Sequence, residues 1–477
     1  MNLKLNKQLY YTLVFGIWIA YFAFALYGFA NVTSRSTVIY ELLITTVCVE
    51  LSIMSFLKNW YKKGRPTLLD WFRFTTFYVV LVNYMTLFTT LDQPIEWVYG
   101  KIYLNPNFIV PSLMVVFIGL LVMFIVEKGM IFFNPPKPPT NQKIEYLLKY
   151  SSVFYTVGVL VSVIRLYLLL SGAIGYGKES DAVTGNASFL LLIFNSLTTF
   201  YLLVLGFLKF YYKRNEKSIT IFFYIFLALG LVFGLLSGMK EETITPFVTF
   251  LVPFLLGGNL IPKKVIIFGG IALMFLYPLN DNYRFALNNI NGIEKKDAFL
   301  FAVAATVSGD FGSVFSEGSD KFTARLSMYP ILHYTTEIED TWTDYKHMNR
   351  YVYLPVSFMP RAFIPSKPIA DTGETLNYMI SGFKGNSQTP TTYGWSYLEG
   401  GFQYVALSFL LFALTISFIE IKYDATSFFS LLLYSRILII MLKVESDIFF
   451  ILAGILQEVI VFLAFYYIFI KKRIIRN

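Results

Sequence analysis

The sequence predicts an all-α polytopic membrane protein with about twelve transmembrane helices and one large extracytoplasmic loop. Three observations predict it. Of 477 residues, 56% are hydrophobic and only 14% charged, whereas a soluble chain carries about a quarter charged residues. The apolar residues gather into windows of about 20, the length a helix needs to cross hydrocarbon. Finally, connections rich and poor in Lys and Arg alternate along the chain, the asymmetry that sets membrane orientation.

The windows place helices near 9–30, 37–57, 68–91, 107–133, 146–171, 187–212, 218–237, 243–260, 263–280, 396–419, 426–443 and 447–470. The first run, Leu9 to Ala30, is long enough to span and has no small-residue cleavage site, so it reads as the first transmembrane helix. Pro246 and Pro253 predict a kinked or broken eighth helix, which membranes tolerate where it faces protein or a cavity.

Orientation follows from the short connections. Lys4 and Lys7 start one series, which continues with Lys58, Lys62, Lys63 and Arg65, then Lys137 and Lys143. It goes on through Lys209, Lys213, Arg214 and Lys217 to Lys263 and Lys264, and ends in the tail with Lys471, Lys472, Arg473 and Arg476. The alternate connections carry little positive excess, as in Lys240, Glu241 and Glu242. Both termini are therefore expected in the cytoplasm. The net charge of +9 is then a topology signal rather than a nucleic-acid footprint. The single cysteine, Cys48, excludes a disulfide framework or a cysteine-based metal site.

Three parts follow: a bundle of about nine helices over 1–280, an extracytoplasmic loop domain over 281–395, and about three helices over 396–477. The middle part holds both histidines, His333 and His347. Its composition is unsuited to lipid, so it is expected in water at the membrane surface. A helix is predicted over Asp297–Ser308, its apolar run FLFAVAATV suited to the membrane interface. Loops of this length are usually functional.

No P-loop, strand-preceded GxGxxG or DxD-type metal pair is present. What the expected outer surface offers is fixed cations. Arg284 follows the ninth span, Arg325 lies in FTARLSMYPILHY, and Arg361 and Lys367 lie in MPRAFIPSKP. Lys240 occupies the turn between the seventh and eighth spans. Arginine's planar fork suits phosphate oxygens and lysine acts as a point charge. Several converging at a membrane surface would suit a lipid-linked pyrophosphate. The alternative is that loop arginines pair with loop acids and hold the loop together.

Candidates for a general base are Glu399 in YLEGG, His333, Asp310 and the pair Glu241/Glu242. An alternative role for His333 is a packed, hydrogen-bonded core residue. Glu50, Arg165, Arg436 and Glu458 lie inside apolar runs. Such charges are costly and usually face the bundle interior. Arg436 and Glu458, on adjacent helices, could pair, either to fix packing or along a substrate path.

The order of these elements resembles the bacterial O-antigen polymerase (Wzy-type) family of oligosaccharide repeat-unit polymerases. The resemblance is carried by Arg325 in ARLSMYPIL, Pro360-Arg361 with Pro365, Lys367 and Pro368, and Thr389 to Trp395. Tyr397-Leu398-Glu399-Gly400-Gly401 follows, and SGMKEE around Lys240 resembles the family's GSR-type turn. It spans roughly Ser237 to Gly401; the first six spans match in hydropathy only.

The resemblance implies a glycosyltransferase fold of the C type in the bacterial inner (cytoplasmic) membrane. Its substrates would be undecaprenyl-pyrophosphate-linked oligosaccharides, joined into O-antigen of lipopolysaccharide, capsule or exopolysaccharide. Glu399 or His333 would deprotonate the acceptor hydroxyl. Arg284, Arg325, Arg361, Lys367 and Lys240 would orient the pyrophosphate. Neither cofactor nor metal is expected, because the glycosyl–pyrophosphate bond supplies the energy. Membrane lipid, a chain-length regulator and a flippase are the expected partners, and nucleic acid is not. The alternatives are a ligase-like glycan transferase or, in a different class, a lipid-linked oligosaccharide flippase.

Overall fold

The computed structural model describes residues 5–32, 35–91, 95–97, 100–102, 104–133, 144–171, 174, 185–238, 240–259, 263–290, 292–308, 316, 327–343, 346–359, 363–364, 366–367, 372–382, 388–424 and 426–474. Nearly all of it is helical. Helix α1 covers Lys7–Asn31 and α2 Val38–Lys63. Helix α3 starts at Leu68–Thr76 and runs on through a π segment to a 3-10 turn at Phe88–Thr90. Then come α4 (Ile109–Phe133), α5 (Ser151–Leu170), α6 (Gly185–Gly206), α7 (Lys217–Ser237), α8 (Lys240–Leu256) and α9 (Lys263–Asn289). Four shorter helices follow: α10 (Lys295–Ser308), α11 (Tyr329–Ile338), α12 (Thr372–Ser381) and α13 (Thr391–Leu398). The last three are α14 (Phe402–Lys422), α15 (Phe428–Met441) and α16 (Ile448–Phe469).

Among the described residues, eight helices are long and apolar enough to cross a membrane. This is the makeup of an all-α membrane protein. Each of the twelve windows overlaps a helix, although the fifth begins in a strand at 146–148 and the tenth is broken at 399–401. The helix ends are fixed by local chemistry. Asn6 caps α1 through a 2.6 Å bond from the Leu9 N–H. Thr67 and Asp70 form a reciprocal capping box on α3. Asp447 caps α16 through the Phe449 N–H at 2.6 Å.

Two apolar cores result. The first joins α2, α3 and α4 to α11, α13, α14, α15 and α16 around Phe72, Tyr84, Leu113, Tyr393 and Phe409. The second joins α5, α6 and α7 to α15 and α16 around Phe154, Phe200, Tyr201, Phe223 and Phe428. Helices α15 and α16 therefore belong to both cores and tie the halves together. At one end a short antiparallel pair, β3 (Ile144–Leu148) with β4 (Ile470–Ile474), closes the second half. An earlier strand pair, β1 (Ile95–Trp97) with β2 (Gly100–Ile102), follows α3.

Three expectations change. Helix α8 is continuous across Pro246 and Pro253. The Pro246 ring lies against Gly230 and the Pro253 ring against Gly206, positions where a Cβ would stand 3.0 and 2.7 Å away. The prolines thus fill notches in neighbouring helices without ending their own. Helix α9 runs on to Asn289, past Asp281, so Arg284 stands on a helix rather than in a loop. The third change concerns the polar middle segment, part of which packs into the bundle. Tyr329, Leu332 and His333 on α11 are fully buried. Tyr329 OH lies 2.9 Å from Ser112 Oγ of α4, and its N–H donates to Asn83 Oδ1 of α3. Internal hydrogen bonds of this kind let a polar-looking sequence enter a core. On helix α10, Ala298 and Ala302 pack on Tyr283 and Ala286 of α9, while Leu300, Phe301 and Val307 are exposed.

Candidate functional site

Two polar stripes at helical spacing face each other inside the second half. Helix α6 presents Asn195, Thr198, Thr199 and Leu202, and α8 presents Glu242, Thr245, Pro246 and Thr249. Both follow the i, i+3, i+4, i+7 pattern that lines one helix face. Arg165 of α5, Gly230 of α7 and Arg436 of α15 complete a partly open pocket with about 80 Å³ of water-accessible space.

The charges in it are paired. Arg165 donates through Nη2 to Glu242 Oε2 at 3.2 Å and through Nη1 to Thr198 Oγ1 at 2.8 Å. Its guanidinium also lies 4.7 Å from the Phe233 ring centre. Asn195 Nδ2 donates to the other Glu242 oxygen at 2.9 Å. Arg436 donates to Glu458 Oε1 of α16 at 2.6 Å, and Ser196 Oγ donates to the same oxygen at 3.0 Å. Arg436 and Glu458 therefore pair as their adjacency suggested. Glu50, by contrast, lies on the exposed side of α2.

The pocket lies near the turn between α7 and α8. Gly238 ends α7 with φ +67°, and Arg284 Nε of α9 donates to its carbonyl at 2.7 Å. Tyr283 OH adds a 3.1 Å bond to the Leu236 carbonyl. Lys240 opens α8 beyond this turn; its side chain is outside the described set. Gly234 permits the tight approach of α7 and α8. A Cβ there would stand 2.5 Å from Thr243 Cα and 2.6 Å from the Glu242 carbonyl oxygen.

A second polar cluster lies where the polar middle segment meets α14 and α16. Arg350 donates to Glu399 Oε1 through Nε at 3.1 Å and Nη2 at 2.7 Å, and pairs with Asp447. Ser408 donates to the other Glu399 oxygen at 3.0 Å. Glu399 is 2% exposed. Two buried acids share one guanidinium, which leaves one excess negative charge. Burial pushes the Glu399 carboxyl up to about 7, with Arg350 opposing the rise and Asp447 adding to it. Burial raises Asp447 as well. The His347 N–H donates to the Glu399 carbonyl at 2.7 Å from a left-handed backbone, φ +59°.

The expected site residues are thus dispersed. Glu399 is held by Arg350 and Ser408 and does not line the pocket between α6 and α8. His333 is fully buried, its ring nearly parallel to Tyr329, and neither ring nitrogen has a partner among the described residues. Burial lowers its pKa to about 3, so it stays neutral. Lys367 donates to the Ser357 and Met359 carbonyls, pinning its own loop. Arg284 meets the Lys240 turn. Arg325, Arg361 and Asp310 lie outside the described residues. The α6 stripe, Glu242 as partner of Arg165, and the Arg350–Asp447 link were not foreseen. The stripes left a legible trace, since Asn195, Thr198 and Thr199 repeat at helical spacing within an apolar run. Comparison with protein families, curated proteins and solved structures finds no match.

Proposed function

We propose that the protein is a membrane glycosyltransferase that polymerises lipid-linked oligosaccharide repeat units. It would act in a bacterial cytoplasmic membrane, with both termini inside and the polar middle segment outside. The observation that carries this reading is a charged, partly open pocket set in an apolar bundle beside the turn that bears Lys240 and receives Arg284. A substrate with a polar head on a lipid tail needs that juxtaposition. In this reading an acceptor hydroxyl attacks the anomeric carbon of the growing chain. The bond from that carbon to the pyrophosphate oxygen breaks, and the pyrophosphoryl lipid leaves. The hydroxyl proton passes to a carboxylate; Glu242 lines the pocket and is best placed for this, ahead of Glu399 and His333. Arg284, Lys240, Arg325, Arg361 and Lys367 belong to the cation set that would hold the pyrophosphate. Losing one such contact costs about 3 kcal/mol of barrier, about a hundredfold in rate.

A charged pocket inside a helical bundle also suits a transporter of the same substrate. Proteoliposomes loaded with a lipid-linked repeat unit separate the two. A polymerase lengthens the glycan, as does no transporter. Translocation at constant glycan length would replace the polymerase reading.

A further inference from the structure

Five buried polar atoms around the pocket have no hydrogen-bond partner among the described residues. They are Arg165 Nε, Arg436 Nε, Asn195 Oδ1, Thr249 Oγ1 and Glu458 Oε2. Four belong to residues that line the pocket; Glu458 stands behind Arg436. Arg165 is 4% exposed, Glu458 3% and Thr249 0%. Buried polar atoms are normally satisfied, and an unmade bond there is costly. Five around one pocket point to a ligand.

Their chemistry narrows what it is. Two are N–H donors, two are acceptors, and a hydroxyl serves as either. The Asn195 amide is oriented by its Nδ2 bond to Glu242, which leaves the oxygen to the pocket. A phosphate or pyrophosphate ester offers acceptors alone, so it would match the guanidiniums and leave the pocket-lining Asn195 Oδ1 unsatisfied. Charge leads to the same conclusion. Arg165 is offset by Glu242 and Arg436 by Glu458, so the set is formally neutral, and a buried polyanion would lack compensation. A sugar hydroxyl both donates and accepts, and a ring bearing several of them matches a mixed set. Leu202, Pro246 and Gly230 give the pocket an apolar wall for the ring's C–H face.

We infer that this pocket is a subsite for a sugar residue, whose hydroxyls pair with Arg165, Asn195, Thr249 and Arg436. The inference deepens the polymerase reading and rests on it. The pyrophosphate is held by cations outside the pocket, and the acceptor sugar lies beside Glu242.

Native mass spectrometry tests it on full-length protein extracted in mild detergent from the cells that produce it. The wild type is expected to carry an adduct that releases sugar oxonium ions on fragmentation. Thr249→Val, a near-isosteric change, and Asn195→Leu should each lower the bound fraction about tenfold. The Thr249→Val variant keeps the test decisive if Asn195→Leu fails to fold. A sugar-free lipid phosphate, no sugar-bearing adduct at all (water alone in the pocket), or wild-type occupancy in Thr249→Val overturns the subsite. Deleting the protein separates this from the function. A pocket-dependent sugar adduct with polymer persisting after deletion leaves the subsite and removes the polymerase. Polymer lost on deletion, without such an adduct, does the reverse.

Discussion

Replacing Glu399 with Gln should remove a stabilising contribution that the wild type loses between pH 5 and 8. In the wild type, Arg350 faces Glu399 and Asp447 together, and burial, with the Asp447 charge adding to it and Arg350 opposing it, raises Glu399 from its ordinary 4.5 to about 7. A carboxyl raised on folding binds its proton more tightly in the folded state. Its contribution is most favourable below pH 4.5 and is lost as pH climbs through 7. The rise corresponds to about 3 kcal/mol, lost across that window. Asp447 is raised too, with the same sign, whereas the buried neutral His333 loses stability as pH falls below its ordinary 6.5, so the test is the difference between the two proteins. For a chain of this length, 3 kcal/mol is about 3 °C in Tm. The assay is fluorescence-monitored thermal unfolding in one detergent at pH 5, 6, 7 and 8. The Tm of the wild type minus that of Glu399→Gln should fall by about 3 °C from pH 5 to pH 8, since Gln can still accept from Arg350. Parallel lines for the two proteins would refute the shared-guanidinium reasoning.

Three further outcomes follow from packing and charge. Gly234→Ala should destabilise the protein by about 1–3 kcal/mol although alanine favours helix, because the new Cβ meets α8 backbone; thermal unfolding measures it. Arg436→Leu leaves Glu458 buried without its cation and should cost about 3–5 kcal/mol. Adding Glu458→Leu should recover most of that loss, as a double-mutant cycle by thermal unfolding would read. His333→Phe should leave the activity–pH profile unchanged between pH 5 and 8, because the buried imidazole stays neutral there; a lost limb in that profile would reinstate His333 as a titrating group.

Where hydrocarbon dictates composition, the sequence was readable. Twenty-residue apolar windows became helices, and the expense of intramembrane charge marked Arg165, Arg436 and Glu458. Adjacency in the chain even suggested the Arg436–Glu458 pair. What escaped depends on contacts distant in sequence. Arg165 found Glu242, 77 positions on, and Arg350 found Glu399 and Asp447 from separate helices. The prolines of α8 looked like breakers because Gly206 and Gly230, which receive them, belong to other helices. Tyr329 to His333 looked like a watery loop because Asn83 and Ser112 could not be seen to meet it. The cations of the polar segment were visible as residues, yet their common target was not, and the structure engages Arg284 and Lys367 with backbone carbonyls.

The central claim is that this protein joins lipid-linked repeat units with help from the pocket acid. Purified wild-type protein and Glu242→Gln, each shown to be monodisperse, are incubated with a single lipid-linked repeat unit and the products are sized. The account predicts a ladder of repeat multiples from the wild type, reduced about a hundredfold in initial rate by Glu242→Gln. A wild type that returns its substrate at unchanged length would contradict the function. A Glu242→Gln ladder equal to the wild type's would contradict the role of the pocket.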